Sequence, residues 1–465
     1  MTKLRNTVAL ILALVVILAA ASVQAASSAS IQKVRIGQTQ EKVRIVFDMT
    51  AAPDFNVILE QDPFRLLIDM PATVDKTILR QVILNDPFVA SVQIQETEPG
   101  QVRAVVNLSM AVRHNVFKVT GPDRLVVDLF KEYEKKTERE IRPGIKYTSW
   151  LRSQTNGPIK AHIIQIEPKA GFALKPVLSN GAVQGLETLA SMSAGSRATA
   201  AVNGSYFALN GEIIGLLKIN GEIVSTSSIP RTALGVFPDG RLAFAQVNWQ
   251  GYVDLPGGRV ELNGVNRSRG DNELILYTGY YGSTTGTNQY GDEYVIGQDG
   301  RVVAVGRGNT AIGPGSVVLS AHGAPTREMA GLKVGDLVYI SQSLGPEWDT
   351  AIHALGAGPT LVKDGVVYLT TKTEGFGSDV AGGRAPRTAI GITKDRQILL
   401  VVVDGRQTAS TGMTLLELAL FMQELGAVEA MNLDGGGSSE MVIFDKVVNR
   451  PSDGRERKVA TAVVV

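Results

Sequence analysis

"VRIVFDMTAAPDFNVILEQDPFRLLIDM", residues 43–70, lies without a gap over "VRAVVNLSMAVRHNVFKVTGPDRLVVDL", residues 102–129. The two stretches share Val-Arg at the start, Asn-Val in the middle and Pro-x-Arg-Leu-x-x-Asp at the end. Each reads as an alternating strand, a bend, and a hairpin whose turn holds Asp62-Pro63 or Gly121-Pro122. A strand that is apolar on one face needs a second layer, so two such units facing each other predict a small all-β sandwich over residues 31–130. Arg65 with Asp69, and Arg124 with Asp128, read as pairs on its solvent faces.

Beyond Phe130 the charged run "KEYEKKTEREIRPG" (131–144) cannot bury much surface and reads as a solvated linker or a short exposed helix, broken by Pro143-Gly144. A second domain is predicted over 145–465, mixed α+β and rich in strands. At 465 residues the chain exceeds what one core usually serves, in keeping with two domains. This second domain carries its own echo: "PRTALGVFPDG" from Pro230 returns as "PRTAIGITKDR" from Pro386. A buried strand tolerates arginine only with a partner, so Arg231 and Arg387 at two strand mouths suit an anion.

Lys plus Arg (46) nearly cancels Asp plus Glu (45), which removes the electrostatic footprint of a nucleic-acid binder. Cysteine is absent, excluding disulfides, thiolate metal sites and a cysteine nucleophile. Lys3 and Arg5 precede an apolar run from Val8 to Ala21, followed by Val23-Gln24-Ala25. The run is shorter than the roughly 20 residues that span a bilayer, so residues 1–25 are predicted to be a cleaved secretory signal with no retained transmembrane segment.

The chemistry concentrates where apolar runs end in polar residues and glycine: "AVNGSYF" (201–207), "PRTAIGI" (386–392), "VVVDGRQTASTGMTLLELALFMQELGA" (401–427) and "MNLDGGGSSEM" (431–441). Gly435, Gly436 and Gly437 form a wall without side chains, where backbone N–H groups can close on a ligand's oxygens. Val401 to Val403 reads as a buried strand with Asp404 at its polar end, and Leu415 to Leu425 as a helix stopped by Gly426. Thr414-x-x-Glu417 has capping-box spacing, so Glu417 is either a cap or a site residue. His114, His162, His322 and His353 show no zinc spacing. Among them His322, in "LSAHG", is the one singled out.

Two resemblances follow from these motifs. Residues around "RLLIDM" and "RLVVDL" resemble the AMIN domain, which implies export and attachment to wall or envelope polysaccharide. From about Ile141 to Val465, the order Asn-Gly-x-Tyr-Phe, Pro-Arg-Thr-Ala-Ile-Gly, Asp-Gly-Arg, Gly-x-Thr-x-x-Glu and Asn-Leu-Asp-Gly-Gly-Gly-Ser-Ser resembles the phosphodiester glycosidase family. That resemblance implies a secreted or envelope-associated hydrolase cleaving the sugar–phosphate bond of a glycosyl-1-phosphodiester. The alternatives are a non-catalytic polysaccharide-binding protein and a phosphodiesterase cutting the P–O bond.

The resemblance also implies roles. Arg387, Thr388 and the amides of Gly435, Gly436 and Gly437, continuing to Ser438, take the phosphate. Asp434 is the first choice of catalytic carboxylate, with Asp404 and Glu417 behind it. Asn203, Gly204 and Asn432 meet the sugar, Tyr206 or Phe207 stacks on its ring, and Arg231 holds a distal part of the polymer. No cofactor is required; a divalent cation on Asp434 or Asp404 is chemically reasonable.

Overall fold

The computed structural model describes residues 29–465 apart from Gln40, Ala111, Glu132, Tyr133, Thr155, Lys169 and Ala170. The signal expected at 1–25 lies outside the described residues. These divide into two compact units, one running to Lys131 and taking in 153–158, the other comprising 134–152 and 159–465.

The first unit is all strand: β1 (Ala29–Gln38), β2 (Lys42–Met49), β3 (Asn56–Gln61), β4 (Phe64–Val74), β5 (Gln81–Ile83), β6 (Val89–Glu98), β7 (Gln101–Leu108), β8 (Arg113–Val119) and β9 (Arg124–Phe130). The repeat is visible at once, β2-β3-β4 matching β7-β8-β9. Their hydrogen-bonded order is β5-β6-β7-β4-β1-β2-β9-β8, with β3 added on β4. Alternate residues Ile45, Phe47, Leu66, Ile68, Val106, Leu125 and Val127 are wholly buried, the period-two pattern expected of strands with one face inward.

The two copies interlock. β2 of the first pairs with β9 of the second, and β7 of the second with β4 of the first. This register sets Arg44 opposite Asp128, with Nε–Oδ1 2.6 Å and Nη2–Oδ2 2.7 Å, and Arg103 opposite Asp69 at 2.6 and 2.8 Å. The expected pairings within a copy are therefore corrected: Arg65 meets Glu60, and Arg124 stands 3.9 Å from Asp48. Positions i and i+4 on a strand are about 13 Å apart at ~3.3 Å per residue. Cross-strand neighbours lie within about 5.5 Å, so the partner comes from the facing copy.

The charged run is corrected too. Glu134–Arg142 is a strand, β10, paired with β11 (Ile145–Gln154), rather than a linker or helix. β10 is an edge strand, where charge suits exposure and blocks unwanted pairing. Its cations cover aromatic rings directly opposite: Lys136 Nζ stands 3.5 Å from the Trp150 ring centre, and Arg139 lies over Tyr147.

β10 and β11 open an eight-stranded sheet that continues through β12 (Gly157–Ile166), Ile398–Val403, Arg387–Thr393, Ala427–Asn432, Thr360–Lys363 and Val366–Val367. The helix Leu415–Glu424 packs Leu415, Leu418, Ala419, Phe421 and Met422 onto this sheet against Trp150, Ala389, Val401 and Val403. A five-stranded sheet contains Ala200–Asn203 and Met441–Ile443, and another contains Arg231–Val236 beside His353–Gly356. Their inner faces share one core through Val202, Leu234, Leu355, Ile390, Met431 and Met441. The strands ending at Asn203 and Asn432, and those beginning at Arg231 and Arg387, deliver the loops described next. No helix among the described residues is long and apolar enough to cross a membrane.

Candidate active site

The strand 427–432 ends at Asn432, and the chain turns through Asp434 into the glycines. Leu433 N–H donates to Thr388 O (2.8 Å) and Asp434 N–H to Gly204 O (2.9 Å), fixing the loop between the mouths of two sheets. Asn203 braces it from behind, its Nδ2 donating to Asp434 O (2.7 Å) while its Oδ1 accepts from the Thr388 hydroxyl (2.7 Å) and Glu440 N–H (3.2 Å). Gly204 is required by closeness, since a Cβ there would come within 2.6 Å of Thr461 Oγ1.

Asp434 is crowded on most sides yet keeps an opening to solvent. Burial pushes its carboxyl up to about 6, opposed by hydrogen bonds from Ser438 and the Gly435 N–H (2.8 Å) and by the charge of Arg457. Its neighbour Tyr206 accepts from Asn432 Nδ2 (2.8 Å) and donates to Gly358 O (3.1 Å). Burial and the Asp434 charge raise the Tyr206 phenol far above its ordinary range, against the pull of Arg387 and Arg231, so it stays neutral. Asn432 Oδ1 is a buried acceptor with no hydrogen-bond partner.

Beside Tyr206 the Phe376 ring stands 5.6 Å away, and the Arg231 guanidinium carbon lies 4.3 Å from the Phe376 centroid. Arg231 Nε is buried without a hydrogen-bond partner. Asp434, the glycine loop, Ser438, Asn432, Tyr206 and Arg231 thus share one centre, with Arg387 close enough to act on Tyr206 electrostatically.

Several expected contacts are redirected. Arg387 is 2% exposed and spends its guanidinium on backbone carbonyls, Nε to Met413 O (3.0 Å), Nη1 to Val380 O (3.0 Å) and Nη2 to Gly383 O (3.2 Å). Among the described residues its charge has no carboxylate partner, and its guanidinium is held by these backbone carbonyls. Thr388 is committed to Asn203. Of the three glycine amides, that of Gly435 serves Asp434 and that of Gly436 serves Pro386 O (2.9 Å), while Gly437 is buried, with Arg457 and Asp453 packed against it. Phe207, like Tyr206, is half-buried and packs against the hydrophobic core.

Glu417 completes a capping box with Thr414 and pairs with Arg384, so its carboxylate caps the helix. Asp404 is 2% exposed; Oδ1 accepts from Arg450 N–H (3.0 Å) and Asn449 Nδ2 (3.1 Å), while Oδ2 lies 3.4 Å from His162 Nε2. His162 in turn meets the Tyr147 hydroxyl at 2.7 Å. His162 is therefore the histidine beside a candidate carboxylate, whereas His322 stands near Asp271 on the surface. Asp404 and Asp434 face different partners, and among the described residues no three His, Asp or Glu gather into a metal cage. The donor set does not fit a dedicated cation site.

Sequence reasoning passed over Arg406, Phe376 and Glu440. Arg406 is exposed and lies across the loop: a Cβ on Gly436 would come within 3.3 Å of its Nη1. The Asp-Gly-Arg string was the available signal. Phe376, between two glycines, gave little. Glu440 is 2% exposed with Oε1 unpartnered, and burial together with the Glu456 carboxyl pushes it up to about 9, so it holds its proton at neutral pH.

Residues 33–129 match the AMIN domain and residues 281–465 the phosphodiester glycosidase family. The chain carries an AMIN domain followed by a phosphodiester glycosidase domain. Arg387, Arg406 and Asp434 fall within the glycosidase match, while Asn203, Tyr206 and Arg231 precede it. The chain is similar to the SPbeta prophage-derived protein YomE of Bacillus subtilis, 41% identical over 25% of this chain and 17% of YomE. It is also similar to the N-acetylglucosamine-1-phosphodiester alpha-N-acetylglucosaminidase of Mus musculus, 29% identical over 33% of each chain. The chain thus spans a third or less of the length of these curated relatives. The crystal structure of a hypothetical protein from Synechocystis shares the fold, with TM-score 0.66 and 22% identity over 94% of this chain and 80% of that one.

Proposed function

We propose that the chain is an envelope-associated hydrolase that cleaves the bond between a sugar's anomeric carbon and a phosphodiester. The observation that carries this reading is Asp434: a carboxyl near 6 set between a glycine loop crossed by Arg406 and the neutral polar wall of Tyr206 and Asn432. At neutral pH Asp434 is mostly ionised and takes a proton from water as the water oxygen bonds to the anomeric carbon. The carbon–oxygen bond breaks, and its electron pair leaves on a phosphate oxygen. That leaving group is stable as an anion, so it needs positive charge more than a proton. Arg406 supplies a free guanidinium and Arg387 a buried positive field. Asn432 Oδ1 accepts from a sugar hydroxyl or amide, and Tyr206 with Phe376 flanks the ring.

The AMIN domain supports placement at envelope polysaccharide, and the glycosidase relatives support a glycan phosphodiester as substrate class. The test is incubation with a panel of glycosyl phosphodiesters in oxygen-18 water. Reducing sugar carrying the label is expected; label in phosphate means P–O cleavage, and no release from any member rejects the hydrolase.

A further inference from the structure

A cavity of about 300 Å³ opens in the glycosidase domain where the strand Leu242–Val247 approaches Thr360–Lys363 and Glu429. Phe244 and Tyr368 supply aromatic faces, and Gln246, Thr373, Lys363 and Glu429 supply donors and acceptors. We propose that this cavity is a saccharide subsite that holds a neighbouring sugar of the same polymer chain; this rests on the hydrolase reading above.

The lining is wrong for an apolar ligand and too evenly charged for an anion, with one ammonium and one carboxylate. An aromatic face with several hydrogen-bonding groups around it suits a pyranose, which is apolar on its C–H faces and polar at its edge. The volume is at the small end of ligand pockets, which run from roughly 300 to 1,000 Å³, and fits about one sugar residue.

The position argues for the same polymer. Gly358, whose carbonyl accepts from Tyr206 and Asn432 at the reacting centre, precedes Thr360 of the cavity wall by two residues. That is about 7 Å of extended chain. The partition between them is rigid: the carboxylate of Glu374, wholly buried, accepts from Thr232 N–H (2.8 Å) and the Thr370 hydroxyl, and Thr232 Oγ1 stands 2.7 Å from Thr360 Oγ1. Gln246 is the cross-strand partner of Thr232, and Arg231, next in sequence, faces the reacting centre.

Two measurements on the full chain test this. In hydrogen exchange, glucose and N-acetylglucosamine tetrasaccharides are expected to slow residues 363–373, an effect lost in Tyr368→Ala; no slowing with either sugar overturns the subsite. In kinetics, Tyr368→Ala and Lys363→Ala are expected to lower kcat/KM about tenfold on an oligomeric sugar-1-phosphate while leaving a methyl-phosphodiester monosaccharide unchanged. Equal losses on both substrates, or none, overturn it. Failure of the native chain to release sugar from anything sinks the hydrolase alone, because the exchange result stands without turnover.

Discussion

Replacing Asp434 by Asn is expected to stabilise the glycosidase domain at neutral pH while removing its activity. Folding raises the Asp434 pKa from 3.8 to about 6, so its contribution favours the fold below the unfolded value and is withdrawn as pH rises through the folded one. A shift of that size corresponds to about 3 kcal/mol of cost for the ionised form above pH 6. Asn cannot ionise, yet its Oδ1 still accepts from the Gly435 N–H. The stability gap between Asp434→Asn and the native chain should therefore be small at pH 4 and widen in favour of the variant by about 2 kcal/mol by pH 7. Trp150, Trp249 and Trp348 all lie in the second unit, so denaturant titrations followed by tryptophan fluorescence isolate the right domain. A gap that does not change with pH, or a variant weaker at pH 7, would refute the idea that burial of a charge is what raises this carboxyl.

For the native enzyme, kcat/KM should rise with pH through an apparent value near 6, as a carboxylate base requires; a pH–rate profile flat from 5 to 8 counts against Asp434 as base. Arg406→Ala should lower turnover by about two to three orders of magnitude with the melting temperature unchanged, measured by sugar release beside a thermal melt. Arg387→Ala should instead destabilise the domain by about 3 kcal/mol, because Met413, Val380 and Gly383 lose their buried donor; denaturant midpoints check this. Glu417→Ala should cost about 1 kcal/mol through the lost cap and leave kcat within twofold. A fragment starting at Glu134 should unfold at a higher denaturant concentration than one starting at 145, since only the longer one keeps β10 over Trp150.

The strands were legible because their apolar residues recur with period two, and the helix at 415–424 because Thr414 and Gly426 mark its ends. The glycine run was legible as a tight loop after a buried strand, and part of its glycine content answers to packing, since a Cβ on Gly437 would collide with Arg457 Nη2. What pattern could not give was direction. Arg387 and Arg231 share a local sequence, but one guanidinium turns inward to three carbonyls and the other lies against Phe376; the carbonyls come from the turn just before the Arg387 strand and from Met413, neither of which the repeated string contains. The role of Glu417 was undecided for the same reason, until Arg384 came to face it. The charged run hid a strand because the aromatics that make it worth forming, Tyr147 and Trp150, lie in the next one.

The crossed pairing of the N-terminal repeat has a consequence for how such a domain can arise. Neither copy completes its own sheet: Arg44 of the first finds Asp128 of the second, and Arg103 of the second finds Asp69 of the first. A chain holding a single copy would satisfy the same bonds only against another molecule of itself, exchanging strands as a symmetric dimer. Joining the copies head to tail replaces that encounter with a tethered one at an effective concentration of about millimolar. Association, once dependent on dilution, becomes part of folding, and each copy is then free to diverge as long as its opposite keeps the matching charge.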